Sequence, residues 1–207
     1  MITTSFVFTS LRNGAPDGPR RGRGQVVHQE KTQERTKVAV TRASARAVRS
    51  MSTLLAEQRA FIEGDIILHA AVADDEGVPF IAIGAGCRVA TRPPRVTVLV
   101  ARAQTQEFLA VLAATRRIAV EFGRAPHHES LQIKGEDCAI EEAGAEDLRL
   151  AAAYRDKLVR QLGLLGLGPA ETEIYLGLPY AGLVALCFTP TAIFQQKPGP
   201  QAGQPLV

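Results

Sequence analysis

From Ser130 to Lys134 the chain alternates polar and apolar side chains, the period of two that a β-strand imposes. Leu131 and Ile133 would face a core, while Ser130, Gln132 and Lys134 would set a hydroxyl, an amide and an ammonium in a row on the other face. Gly135 permits a bend or a close backbone approach there. An ordinary half-exposed strand is the commoner meaning of such a pattern. The other is a polar ladder that holds an anionic or heteroaromatic ligand. The alternation predicts a strand running on to Glu141 or Glu142.

The same periodicities divide the rest of the chain. Ser52 or Thr53 can cap a helix running to about Glu63, with Leu54, Leu55, Phe61 and Ile62 at helical spacing and Gly64 as its stop. Residues 65–73 and 78–89 read as a hairpin around the turn Asp74-Asp75-Glu76-Gly77. The second strand holds Gly84-Ala85-Gly86, which predicts either a bulge or the close approach of something flat. After a turn at Thr91–Pro94, Arg95–Ala101 is a strand and residues 107–114 a helix. Such a strand-to-helix join suits an anion, because free backbone N–H groups and the helix dipole both favour negative charge. Arg102 and Thr105 can add side-chain contacts there; otherwise Thr105 caps the helix and Arg102 is solvated. Arg116–Phe122 is a further strand, Gly144–Gly163 an amphipathic helix, and Gly163–Pro169 a loop. Ile174–Leu178 and Leu183–Gln195 read as the last strands, and the Pro/Gly-rich tail from Lys197 as irregular.

Charge separates the two ends of the chain. Residues 1–50 hold ten Lys/Arg against three acids, and the remainder holds fourteen against eighteen. A basic extension therefore precedes a mildly acidic domain over 51–207, and the overall basicity is no argument for nucleic-acid binding by the folded part. The run from Asn13 to Gly24 is breakers and arginines, too poor in apolar surface to offset its ordering entropy, so it is expected to be disordered. It is a nucleic-acid or surface arm, a targeting peptide, or translated sequence upstream of a start at Met51; the last is preferred. No apolar run reaches the roughly 18 residues of a membrane span. Cys87, Cys138 and Cys187 are odd in number and far apart, which predicts buried thiols in a reducing cytosol, with no disulfide framework and no metal site. Arg88 beside Cys87 is a weak argument for a lowered thiol pKa.

Glycine-rich dinucleotide and P-loop signatures are absent, as are HExxH and GxSxG. The expected architecture is mainly β (α+β): a six-stranded antiparallel split barrel with peripheral helices.

Four segments in this order carry a resemblance: Ile83-Gly84-Ala85-Gly86-Cys87-Arg88-Val89, Arg116–Phe122, His128–Gly135, and Ile193–Pro200. They resemble the pyridoxamine 5′-phosphate oxidase-like FMN-binding split-barrel family, over about Met51 to Gly203. The resemblance implies a cytoplasmic homodimer with FMN at the subunit interface. It implies phosphate contacts from Arg102, Gln104 and Thr105, a cofactor lining of Ser130, Gln132 and Lys134, and close passage of Ala85 and Gly86 by the flavin ring. Related split barrels bind deazaflavin or haem, and His127 and His128 are the histidines that would serve a haem. The chain departs from the true oxidase at its C-terminal end: it has no Trp and no Arg/His motif there, which counts against authentic pyridoxamine phosphate oxidation. The implied function is an FMN-dependent oxidoreductase acting on an unknown small molecule. The alternative is a flavin- or haem-binding sensor, carrier or stress protein without turnover. No catalytic side chain is singled out, and neither nucleic acid nor membrane is expected as a partner.

Overall fold

The computed structural model describes residues 58–177 and 182–206. The expectations for residues 1–50, for a start at Met51 and for a cap at Ser52 or Thr53 lie outside the described residues. The end of the first helix is described: residues 58–62 are helical and the chain turns at Glu63 and Gly64.

The fold is built around one long strand. β1 (Ile67–Ala73) and β2 (Pro79–Thr91) form the expected hairpin. Asp74 sets the turn, its Oδ1 accepting from Glu76 N at 3.0 Å and Val78 N at 2.8 Å, and Gly77 takes the positive φ of 87° that the turn requires. Residues 79–83 of β2 pair with β1, and after a register shift between Gly84 and Gly86, residues 86–91 pair with β3 (Pro94–Ala101). The glycines therefore mark a bulge. An ideal Cβ on Gly84 would lie 2.2 Å from Leu68 Cδ2, so the space beside Gly84 is filled by Leu68.

A short 3-10 turn (Arg102–Gln104) leads into α1 (Gln106–Thr115), followed by β4 (Ile118–Arg124), β5 (Glu129–Gly135) and β6 (Ala139–Glu142). α2 (Ala145–Gly163), α3 (Pro169–Leu176), β7 (Leu183–Phe188) and β8 (Ala192–Gln195) complete the order. The eight strands form an antiparallel sheet in the order β6-β7-β3-β2-β1-β4-β5-β8. The sheet is open between β6 and β8, and β2 belongs to both of its halves. This is the expected α+β, mostly antiparallel class, with eight strands among the described residues where six were expected.

Three differences separate the observed strands from the segments read as strands in the sequence. The strand after Ser130 stops at Gly135, and Ala139–Glu142 pairs with β7 in the other half-sheet. Asp137 makes the break: its carboxylate accepts from Thr189 N and Thr189 Oγ1, both at 2.7 Å, and pairs with Arg95 at 3.1 Å. The stretch expected as one strand, Leu183–Gln195, is two, divided at Thr189-Pro190-Thr191 and shared between the half-sheets. The strand expected from Ile174 is not there: residues 174–176 end a helix whose signals are Pro169 in its first turn, Glu171 Oε2 accepting from Gly168 N at 2.9 Å, and Gly177 at φ 66°, while residue 178 lies outside the described residues. The helix expected after the fifth strand follows the sixth, and α3 is additional. The tail remains irregular but is tied down: Gln195 N donates to Gln204 O, Gly203 N to Gln195 O and Leu206 N to Ile193 O.

Both half-sheets supply one core. Leu68, Phe122 and Ile133 meet Val98, Leu186 and Phe188, closed by Leu112 of α1 and Leu158 of α2. Each such fully buried side chain contributes about 1.5–3 kcal/mol. Helix α2 is also held by polar contacts. Gln161 Oε1 accepts from Ala125 N at 2.9 Å at the β4–β5 turn, and Lys157 Nζ donates to Glu63 O. Arg160 grips Asp65 with two hydrogen bonds of 2.8 and 2.9 Å, and that guanidinium holds the Asp65 carboxyl below its ordinary pKa. Among the described residues no helix is long and apolar enough to cross a membrane.

Candidate functional site

Strand register assembles the site. His69 of β1 lies opposite Ile83 of β2 and Glu121 of β4; Glu121 lies opposite Gln132 of β5, and Gln132 opposite Phe194 of β8. Directly paired residues in antiparallel strands project to the same face. These five therefore form a row across the sheet, on the face away from Leu68, Phe122 and Leu131. Ser130, opposite Gly123, and Lys134, opposite Ala119, flank the row. The shared face expected for Ser130, Gln132 and Lys134 is present, and it carries His69 and Glu121 as well.

That face is less open than a half-exposed ladder. Ser130 is 8% and Gln132 4% exposed, so β5 is buried on both sides, and Lys134 is half-buried. Lys134 Nζ lies 4.8 Å from the Phe194 ring centroid, and burial lowers its pKa. Helix α3 reaches the same face. Tyr175 Oη and His69 Nε2 are 2.6 Å apart, and the two rings meet edge to face. Burial depresses the His69 pKa, which favours the neutral imidazole as partner of the Tyr175 hydroxyl. Burial, and then the neighbouring Glu121 charge, pushes the Tyr175 phenol up to about 12. Glu121 itself is raised by burial, and its Oε2 is buried with no hydrogen-bond partner among the described residues.

The residues expected at the strand-to-helix join take up separate roles. Thr105 is buried, and its hydroxyl donates to Ala101 O at 2.7 Å; it makes no side-chain cap. Arg102 is ion-paired with Glu142 across an exposed surface. Gln104 lies over Gly177: an ideal Cβ there would fall 1.4 Å from Gln104 Nε2. Because Gly177 closes α3, that helix has Gln104 against its end and His69 against Tyr175. Thr105→Val should cost about 1 kcal/mol in chemical denaturation through the lost buried hydrogen bond. Arg102→Ala should change stability little, as expected of an exposed pair.

Ala85 and Gly86 pack inside the protein. Ala85 is 1% exposed, in a small cluster with Leu99, Ala101, Ala151 and Leu183. Gly86, at φ 144°, lies beneath Leu150 and Tyr154 of α2. His127 and His128 are exposed in the β4–β5 turn. No cluster of His, Cys, Asp and Glu suited to a metal occurs among the described residues. Cys87 is buried, its thiol donating to Ile62 O at 3.0 Å, and burial pushes its pKa up to about 12. Arg88 is engaged with Asp147 at 3.2 Å, so the suggestion of a lowered Cys87 pKa is overturned. Burial, with neighbouring Cys187, likewise pushes Cys138 up to about 12.

Glu121, His69 and Tyr175 were not singled out from the sequence. Glu121 does stand between Val120 and Phe122, a polar side chain on the outward phase of an apolar strand, and that was its one available signal.

No family model matches the chain. No curated protein matches it. Among solved structures it is similar to an F420 reductase, at 16% identity over 65% of this chain and 94% of that one, with a TM-score of 0.43. It is similar to an FMN-binding protein from Syntrophomonas wolfei subsp. wolfei, at 12% identity over 80% of this chain and 96% of that one, with a TM-score of 0.42. It is also similar, at 17% identity over 70% of this chain and 89% of that one and a TM-score of 0.41, to a Clostridium acetobutylicum protein related to general stress protein 26 and described as of the pyridoxinephosphate oxidase family.

Proposed function

We propose that the protein binds a flavin-type cofactor, FMN in the first instance, on the sheet face that carries Ser130, Gln132 and Lys134, and that it is an FMN-dependent oxidoreductase for a small molecule. The observation that carries this reading is the row Ile83–His69–Glu121–Gln132–Phe194, in which hydrogen-bonding groups lie between an aliphatic and an aromatic side chain. A planar heteroaromatic ring needs that combination, apolar walls with a few placed polar groups. The segments resembling the FMN-binding split-barrel family point to the same ligand class.

The residues present fit the ring better than the phosphate. Gln132 offers an amide, Glu121 an acceptor, and Lys134 a cation that favours negative charge on a bound ring. At the phosphate end Thr105 is committed to Ala101 O, leaving Arg102 as the cation, which a phosphate would have to win from Glu142. A bound flavin would supply the hydride or electron transfer. The chain would bind and orient the ring, keep water from it, and hold the Tyr175–His69 hydrogen bond beside it. A homodimer with the cofactor at the subunit interface and a cytoplasmic location belong to the same proposal.

The test is the absorption spectrum of the purified full chain, followed by titration with FMN and with riboflavin, read by flavin fluorescence. A flavin band or tight FMN uptake is expected, and Arg102→Ala should weaken FMN while leaving riboflavin unchanged. A protein that takes up neither FMN nor deazaflavin would overturn the proposal. A Soret band would do the same and would direct attention to His127 and His128.

A further inference from the structure

The outer edge of β8 is covered by a segment that is not a strand. On its inner side β8 pairs with β5, and Gln196 N continues that bonding to Ser130 O at 3.0 Å. On its outer side Gln195 N donates to Gln204 O at 2.9 Å, Gly203 N to Gln195 O at 2.7 Å and Leu206 N to Ile193 O at 2.8 Å. Phe194 and Pro205 stand opposite each other there as an isolated antiparallel bridge. The bonds flanking that bridge run from Leu206 N and Gln195 N, so it is of the non-hydrogen-bonded kind. A proline's missing N–H is not needed at such a position. Residues 203–206 are thus fitted to this edge as an added strand would be.

Little holds them in place. Every residue from Lys197 to Pro205 is exposed, and of residues 197–206 Leu206, half-buried, packs against the core. The chain reverses between Gln196 and Gly203 through turns in which Ala202 N donates to Gly199 O and Gln204 N to Gln201 O. That reversal takes a positive φ at Gly199 (144°) and Gly203 (79°), a backbone that glycine adopts readily and other residues do not. An extended connector keeps every edge contact and escapes these demands, provided that the edge belongs to another molecule. The contacts are the same in the two arrangements, so connector strain, chain entropy and concentration decide between them.

The geometry points to the outer edge of β8 as a docking surface for a second copy of this chain, each copy seating its residues 203–206 on β8 of the other. Directly paired residues share a face. Pro205 of the partner subunit then stands beside Phe194, at the end of the row that begins at Ile83, so each copy completes the other's candidate site. This exchange goes beyond flavin binding and does not depend on it.

The experiment mixes two single variants of the full chain, Phe194→Cys and Pro205→Cys. A non-hydrogen-bonded pair brings its Cα atoms to roughly 4.5 Å, within reach of a disulfide. After incubation over a range of concentrations and mild oxidation, the products are separated without reductant and the linked peptides identified by mass. A dimer joined through positions 194 and 205 is expected, in a yield that rises with concentration. Gly203→Val, which strains the reversal, should raise that yield severalfold when added to both chains. Absence of the 194–205 linkage between chains at every concentration, or a yield that Gly203→Val leaves unchanged, overturns the inference. The unaltered chain gives a second readout that needs no cysteine. A fluorescent peptide copying residues 199–206 should bind it, and the same peptide with Leu206→Asp should bind about tenfold more weakly or worse. Equal binding of the two peptides, or binding of neither, also overturns the inference.

Discussion

Gly84→Ala should destabilise the protein by about 2–3 kcal/mol, because the added methyl has nowhere to go. Its Cβ would stand 2.2 Å from Leu68 Cδ2 and 2.4 Å from Leu68 Cγ. Leu68 is fully buried and central to the core, so it cannot swing aside. For a chain of this size the loss corresponds to a fall in Tm of roughly 5–10 °C, measurable by calorimetry. Shortening the obstacle supplies the control. Leu68→Ala alone leaves a cavity and costs about 2–5 kcal/mol, but in the double variant the new methyl fills part of that space. The combined loss should therefore be smaller than the sum of the two single losses. Strict additivity would mean that Gly84 is there for backbone reasons, and the steric argument for the bulge would be wrong.

Phe188→Ala should be the more damaging change, at about 3–5 kcal/mol. Phe188 ends β7 in one half-sheet, is fully buried, and lies over Gly135 of β5 in the other half. An ideal Cβ on Gly135 would come within 2.4 Å of Phe188 Cδ2. The ring thus joins the two halves at the place where β5 gives way to the Asp137 turn. Denaturant unfolding should show a lower midpoint for Phe188→Ala. Gly135→Ala, costly in the unaltered protein, should cost little in the Phe188→Ala background. Equal cost of Gly135→Ala in both backgrounds would show that the ring does not fill that space.

Local patterns revealed the hairpins, and they failed where tertiary pairing decides. The β1–β2 hairpin announced itself through strand-like composition on both sides of the Asp74–Gly77 turn. Gly84–Gly86 signalled a bulge correctly, but only the position of Leu68 says what the missing side chains make room for. Ile174-Tyr175-Leu176 is a short apolar run that strand and helix share, and the Gly168-Pro169 start with the Gly177 stop was the better guide. Pro190 likewise signalled the break between β7 and β8. The site was half legible. Ser130, Gln132 and Lys134 share a face because strand geometry requires it. Glu121 and His69 join them through register, and register depends on which strands pair, which no local pattern in this chain contains. The buried state of Gln132 was unreadable for the same reason, since α3 and β8 approach that face from distant parts of the chain.

Strand order also constrains the protein while it is being made. β3 waits for its partner β7, and β5 for β8, so each half-sheet acquires an essential neighbour from residues 183–195. As the chain leaves the ribosome, β1 to β5 can all emerge while β3 and β5 still present bare edges, the kind of surface on which nascent chains pair wrongly with one another. β7 and β8 cover these two edges within one short stretch, so both exposures end nearly together.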